Sequence, residues 1–197
     1  MFSPEELKSI LGLGEIPLDL LPNRNVSPGQ RIGVIRDSTT RNVEMYRWGL
    51  VPGWAKDLSI GYKMINARAE TVATKPSFKN AFARQRCLIP ASGFYEWKQD
   101  GNQKTPYLFQ LRDSRPVTFA GLWECWKDAE EKPLFTCTII TTEPNLVVAD
   151  YHDRMPVILN EMDRWRWLEC NSSADLQNML KPYPAEKMAD PIKIEPL

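Results

Sequence analysis

Short runs of alternating character, closed off by glycine, proline or asparagine, constrain this chain more than any helical period does. They cover Arg31–Arg36, Val43–Trp48, Gly93–Lys98, Tyr107–Leu111, Val117–Trp123 and Leu134–Thr141. Segments this short, bounded by turn residues, build sheets. Helical signals are brief. Ser3-Pro4-Glu5-Glu6 reads as a helix start in which Ser3 caps, Pro4 suits the first helical position and Glu6 completes a capping box, with the helix ending before Gly12. Further helices are expected over 76–83, from Glu161 to Cys170 and from Ala174 to Leu180. Strict βαβ alternation is lacking. The expectation is therefore α+β: a single β-rich domain over residues 1–197, with a curved, mostly antiparallel, barrel-like sheet and a few flanking helices.

The length suits one domain with a proper core, and seven Trp, seven Phe and six Tyr beside ordinary charge content indicate a globular chain. No apolar run reaches membrane-spanning length and the first residues lack a basic-then-apolar signal, so a cytoplasmic protein with no membrane partner is expected. Cysteines at 87, 125, 137 and 170 form no C-x-x-C pair and have one histidine to assist them. No metal and no cofactor is expected, and Cys87 and Cys137 read as reduced core thiols. The net charge of zero hides an asymmetry: residues 24 to 86 hold twelve Lys/Arg against four Asp/Glu. Such an excess is either a phosphate-binding surface or a solvated face paired with the acidic remainder.

Three stretches concentrate reactive side chains. Asp150-Tyr151-His152-Asp153-Arg154-Met155-Pro156 holds the only histidine, set among two acids, a base and an apolar Val157-Ile158-Leu159. An imidazole there is either a proton shuttle or a satisfied structural residue, the commoner fate of a lone histidine. In Met64-Ile65-Asn66-Ala67-Arg68-Ala69-Glu70, strand alternation puts Asn66, Arg68 and Glu70 on one face, able to hold an anion or to form a plain solvent edge. In Gly93-Phe94-Tyr95-Glu96-Trp97-Lys98, leading into a hairpin turn near Asp100-Gly101, Glu96 shares a face with Phe94. A carboxylate among rings is a candidate for a raised pKa and acid–base work. Trp48-Gly49-Leu50-Val51-Pro52-Gly53-Trp54 is too broken for a helix. It either anchors the core or presents a ring for stacking on bases.

Six segments, in order, resemble the SRAP family, the SOS response-associated peptidase proteins that attach covalently to abasic sites in DNA. They are Asn25-Val26-Ser27-Pro28-Gly29, Arg47–Trp54, Ile65–Thr71, Cys87-Leu88-Ile89-Pro90, Gly93–Trp97 and His152–Pro156, spanning roughly residues 25 to 160. The resemblance implies a compact β-rich domain with a basic groove for single-stranded DNA carrying abasic sites, and no obligate protein partner. It implies an N-terminal cysteine, exposed by removal of the initiator Met, whose amine forms an imine with the sugar aldehyde and whose thiol closes a thiazolidine. Asn66 would hold the N-terminal residue or the sugar, Glu96 would donate and accept protons, and His152 would assist near the sugar hydroxyl or 3′ phosphate. Arg68 and Arg154 would grip phosphates, while Trp54, Trp97 and Pro28 would shape the groove or stack.

The chain departs from that pattern at its head. It begins Met1-Phe2-Ser3-Pro4-Glu5 where the family begins Met-Cys-Gly-Arg, and Arg24 replaces the usual tyrosine before Asn25. A polypeptide with this start is expected to form at most a reversible imine. Two other classes compete: a non-catalytic binder of single-stranded or modified DNA, and a peptidase acting on other proteins. The last lacks a Ser or Cys nucleophile motif beside the histidine.

Overall fold

The computed structural model describes residues 1–101 and 103–195, so Asn102, beside the expected hairpin turn, and the last two residues of the expected domain lie outside it. Helix α1 (Pro4–Leu11) forms as its sequence dictates: Ser3 Oγ accepts from the Glu6 amide, the Glu6 side chain accepts from the Ser3 amide, and Gly12 closes the helix at φ 62°. Strands β1 (Arg31–Val34), β2 (Glu44–Trp48) and β3 (Asn66–Arg68) follow, with a 3-10 helix over Leu58–Lys63 before β3. Then come α2 (Lys79–Arg84), β4 (Arg86–Ala91), β5 (Phe94–Asp100), β6 (Gln103–Phe109), β7 (Val117–Lys127) and β8 (Pro133–Thr142). The chain continues through β9 (Met155–Pro156), α3 (Glu161–Glu169), α4 (Ser173–Met179), a short 3-10 turn and β10 (Ile192–Lys193).

The larger sheet runs β1-β2-β8-β7-β4, with β3 and β9 also paired to β8. It curls until its ends meet, because Ile35, just past β1, exchanges both backbone hydrogen bonds with Leu88 of β4. A smaller sheet, β10-β6-β5, is built on the Phe94–Phe109 hairpin register. Pairing is antiparallel except where β2 and β3 run parallel to β8, so the expected curved, mostly antiparallel sheet is the observed one. Element ends differ modestly. Strand β6 stops at Phe109, leaving Leu111 only a bridge to Met188, and β7 continues four residues past Trp123.

Successive residues of the central strands face two different cores. Leu88, Leu122 and Ile140 pack under the helices with Leu11, Phe82 and Trp167. Cys87, Ile89, Phe119 and Ile139 pack on the other side with Tyr46, Phe94, Phe109 and Met155. A strand covered on both faces is apolar throughout rather than alternating, which is why Cys87-Leu88-Ile89 reads as a continuous run.

Arg86 belongs to this interior. Its side chain is buried and donates to the carbonyls of Phe82 and Ala83 at the end of α2, and of Trp167, Leu168 and Cys170 at the end of α3. Carbonyls at a helix C-terminus carry partial negative charge, so one guanidinium caps two helices. Burial holds its pKa below the usual arginine value. The basic stretch read from the sequence therefore contributes one charge to the core rather than to the surface.

Candidate active site

Strand β5 begins in the core and ends in solvent. Phe94 is buried, stacked 5.1 Å from Phe109 and edge-on to Phe119. Two residues on, the same face carries Glu96, whose side chain is 19% exposed. Tyr107 lies opposite Glu96 in the hairpin register, and Tyr151 packs edge-on against Tyr107 at 4.7 Å and against Phe109 at 5.2 Å. These rings displace water that would solvate a carboxylate. Burial raises the Glu96 pKa from 4.5 to about 7, His152 pulls it back, and Asp153 pushes it up. Glu96 thus carries and releases a proton near neutrality, as a general acid–base requires.

His152 faces it, with Nε2 3.9 Å from Glu96 Oε2. The imidazole is 43% exposed, and its Nδ1 accepts a hydrogen bond from the Arg154 amide at 3.0 Å. Asp153 Oδ1 lies 3.3 Å from the same Nδ1. Together Glu96, Trp97, Gln99, Lys104, Tyr151, His152 and Asp153 line an open cleft of about 570 Å³. Among the described residues no three His, Cys, Asp or Glu side chains gather as metal ligands would, and no helix is long and apolar enough to cross a membrane.

Arg154 is held from below. Its guanidinium donates to both carboxylate oxygens of Glu70, at 2.7 and 2.9 Å, and to the Thr141 carbonyl at 2.7 Å. The Arg154 hydrogen bond is the chief reason the Glu70 pKa lies below the ordinary glutamate value. An arginine read from sequence as a phosphate contact is therefore already occupied by a carboxylate in the free protein. Arg68 stands beside this cluster, because β3 pairs with β8 in the register Arg68↔Thr141. Alternation along β3 is as expected: Asn66 and Arg68 are exposed, and Ala67 and Ala69 are buried.

The structure thus joins Glu96, Trp97 and His152 in one cleft and ties Arg154 to His152 through the backbone, while Asn66 and Arg68 lie on β3, paired to β8 and outside the cleft lining. Pro28 and Trp54 lie on exposed loops outside the cleft lining. The Trp54 loop is pinned by Trp126, whose Nε1 donates to the Ala55 carbonyl at 2.7 Å. The Phe2 amide donates to Ser92 Oγ at 3.1 Å, which places Met1 and Phe2 at the turn leading into β5. Lys104 and Gln99 were not singled out from the sequence. They reach the cleft through the hairpin register Gln99↔Lys104, which the expected Asp100-Gly101 turn would have supplied.

Residues 2–193 match the family model described as SOS response associated peptidase (SRAP). The chain is 50% identical over 171 residues to the abasic site processing protein YoqW of Bacillus subtilis, covering 85% of this chain and 76% of that one. It is 33% identical over 177 residues to the abasic site processing protein HMCES of Gallus gallus, covering 78% of this chain and 53% of that one. A crystal structure of a Bacteroides thetaiotaomicron protein superposes with a TM-score of 0.78 at 32% identity, covering 85% of this chain and 75% of that one. A match across nearly the whole chain, with relatives this similar, means that the chain belongs to the SOS response associated peptidase family.

Proposed function

We propose that this protein processes abasic sites in single-stranded DNA, with Glu96 and His152 moving the protons. The observation that carries this reading is the half-buried Glu96 carboxyl, poised near neutrality 3.9 Å from the single imidazole in an open cleft. The relatives named as abasic site processing proteins support the choice of substrate.

An abasic deoxyribose is mostly a closed hemiacetal. Opening it requires a proton on the ring oxygen and loss of one from the 1′ hydroxyl. Protonated Glu96 gives the first, and the resulting carboxylate takes the second. An α-amine then attacks the aldehyde carbon and passes a proton to its oxygen, giving a carbinolamine. Glu96 protonates that hydroxyl, which leaves as water, and the carboxylate takes the remaining proton from nitrogen to give the imine. Where the N-terminal residue is a cysteine, its sulfur adds to the imine carbon while its thiol proton passes to nitrogen, closing a stable thiazolidine. The anchoring of Phe2 beside Ser92 tethers an N-terminal nucleophile at the head of the strand that carries Glu96. Autocatalytic removal of an initiator Met would use the same acid–base pair. Exposed Arg68 contacts a phosphate, Asn66 orients the sugar or the N-terminal residue, Trp97 in the cleft stacks on a base, and Trp54 and Pro28, on their exposed loops, shape the path of the flanking strand.

The test is a denaturing gel with a single-stranded oligonucleotide holding one abasic site. A polypeptide starting Met1-Phe2 should give an adduct only when borohydride reduces the imine. The same chain with Met-Cys-Gly-Arg placed ahead of Phe2 should give an adduct that survives heat without reductant. Glu96→Gln should slow either reaction by about 10²–10⁴-fold. Binding with no adduct from either chain would favour the non-catalytic reading. A heat-stable, unreduced adduct from the chain starting Met1-Phe2 would refute the chemistry.

A further inference from the structure

We infer that Glu70 is a positioning residue: by clamping Arg154 it fixes the tautomer and aim of His152, an inference that rests on the proton-transfer role proposed above. Glu70 is far from the reacting atoms in sequence and does not line the cleft. Its connection runs through one chain of contacts. Both Glu70 oxygens bind the two terminal nitrogens of Arg154, and one of those nitrogens also binds the Thr141 carbonyl. A fork held on three acceptors cannot swing, and planar bidentate pairing makes the geometry specific. The side chain so fixed belongs to the residue whose main-chain N–H donates to His152 Nδ1 at 3.0 Å.

A nitrogen that accepts a hydrogen bond carries a lone pair there, so the neutral ring holds its proton on Nε2. That is the nitrogen facing Glu96. His152 is thereby set to donate from Nε2 toward Glu96 or a substrate oxygen. The Arg154 carbonyl at 3.2 Å and Asp153 Oδ1 at 3.3 Å compete for Nδ1, and both would favour a proton on that atom instead. If Arg154 is released, its amide and carbonyl drift together, and Asp153 Oδ1 becomes the acceptor that draws the proton to Nδ1. The charged groups around the ring are Glu96 from β5, Asp153 and Arg154 from its own segment, Glu70 from beyond β3, and Lys104 across the cleft.

One histidine in the chain makes the inference directly readable. With ¹⁵N-histidine labelling, the ring nitrogens of His152 give a single pair of resonances. The folded wild type above neutral pH should show an unprotonated Nδ1 and a protonated Nε2. Glu70→Gln removes one acceptor oxygen and the charge, and should shift the pair toward the opposite tautomer. Glu70→Asp keeps the carboxylate and should recover part of the wild-type signal. In parallel, Glu70→Gln should slow borohydride-trapped imine formation by about 10-fold or more, as small misplacements of catalytic groups do, and should change the pH profile. Its affinity for a strand carrying a tetrahydrofuran analogue, which has no aldehyde, should change far less.

An unchanged tautomer in folded Glu70→Gln would overturn the inference, whatever the rates. So would equal losses in rate and in analogue binding, which would make Glu70 a determinant of DNA affinity. If the wild type forms no imine yet the tautomer still depends on Glu70, the proposed function fails and the positioning stands.

Discussion

Replacing Glu96 by glutamine should stabilise the fold while disabling the chemistry, and the gain should appear only as the pH rises. The carboxyl goes from 4.5 to about 7 on folding, chiefly through burial. Between those values the folded chain keeps a proton that the unfolded chain has released. Stability therefore falls as the pH climbs through this window, and it levels off above about 7. A change of this size corresponds to about 3 kcal/mol, absent below 4.5 and fully developed by pH 8. Glutamine fills the same space without ionising. Urea unfolding followed by tryptophan fluorescence, on both proteins at pH 5, 6, 7 and 8 and fixed ionic strength, isolates the effect because every other titrating group is shared. The variant should exceed the wild type by less than about 1 kcal/mol at pH 5 and by about 3 kcal/mol at pH 8. A difference independent of pH, or a variant less stable at pH 8, would refute the claim that burial among Tyr107, Tyr151 and Phe94 sets the acidity of Glu96.

Two further outcomes are expected. Arg86→Met should cost roughly 2–6 kcal/mol in the same unfolding assay, since the buried Phe82 and Trp167 carbonyls lose their donor at about 1–3 kcal/mol each; a loss below about 1 kcal/mol would mean that water replaces the guanidinium. Arg68→Ala should weaken single-stranded DNA binding across sequences and reduce the slope of log affinity against log salt by about 0.7, measured by fluorescence anisotropy; an unchanged slope removes Arg68 from the phosphate contacts.

Much of this site was legible because local rules decide it. The Ser3 and Glu6 capping box needs only four residues, and the faces of β3 and β5 follow from alternation, so the exposure of Asn66 and Arg68 and the burial of Phe94 beside Glu96 could be read directly. Pairings between distant segments were not legible. Nothing near Glu70 announces that Arg154, 84 residues on, will occupy it, so Arg154 read as free for phosphate. Arg86 sat in a basic run and counted as surface charge, although the ends of two helices enclose it. The 3-10 helix over Leu58–Lys63 was also hidden, because it depends on a close approach between Gly49 and Gly61. Gly49 takes φ 120°, and a Cβ there would lie 2.7 Å from the Gly61 carbonyl oxygen.

Strand β8 pairs with four others, β2 and β3 along one edge and β7 and β9 along the other. Three of these partners lie far from it in sequence or across a long loop; Asn66 meets Ile139 and Trp48 meets Cys137. Pairings this remote raise contact order and slow folding. During synthesis, the strand that bears Asn66 and Arg68 emerges before β8, the strand it pairs with, has been made. Its exposed edge must wait, open to wrong partners, until residues 133–142 leave the ribosome. The cleft lined by Glu96 and His152 closes later still, once the segment carrying His152 folds back onto β8 through Met155.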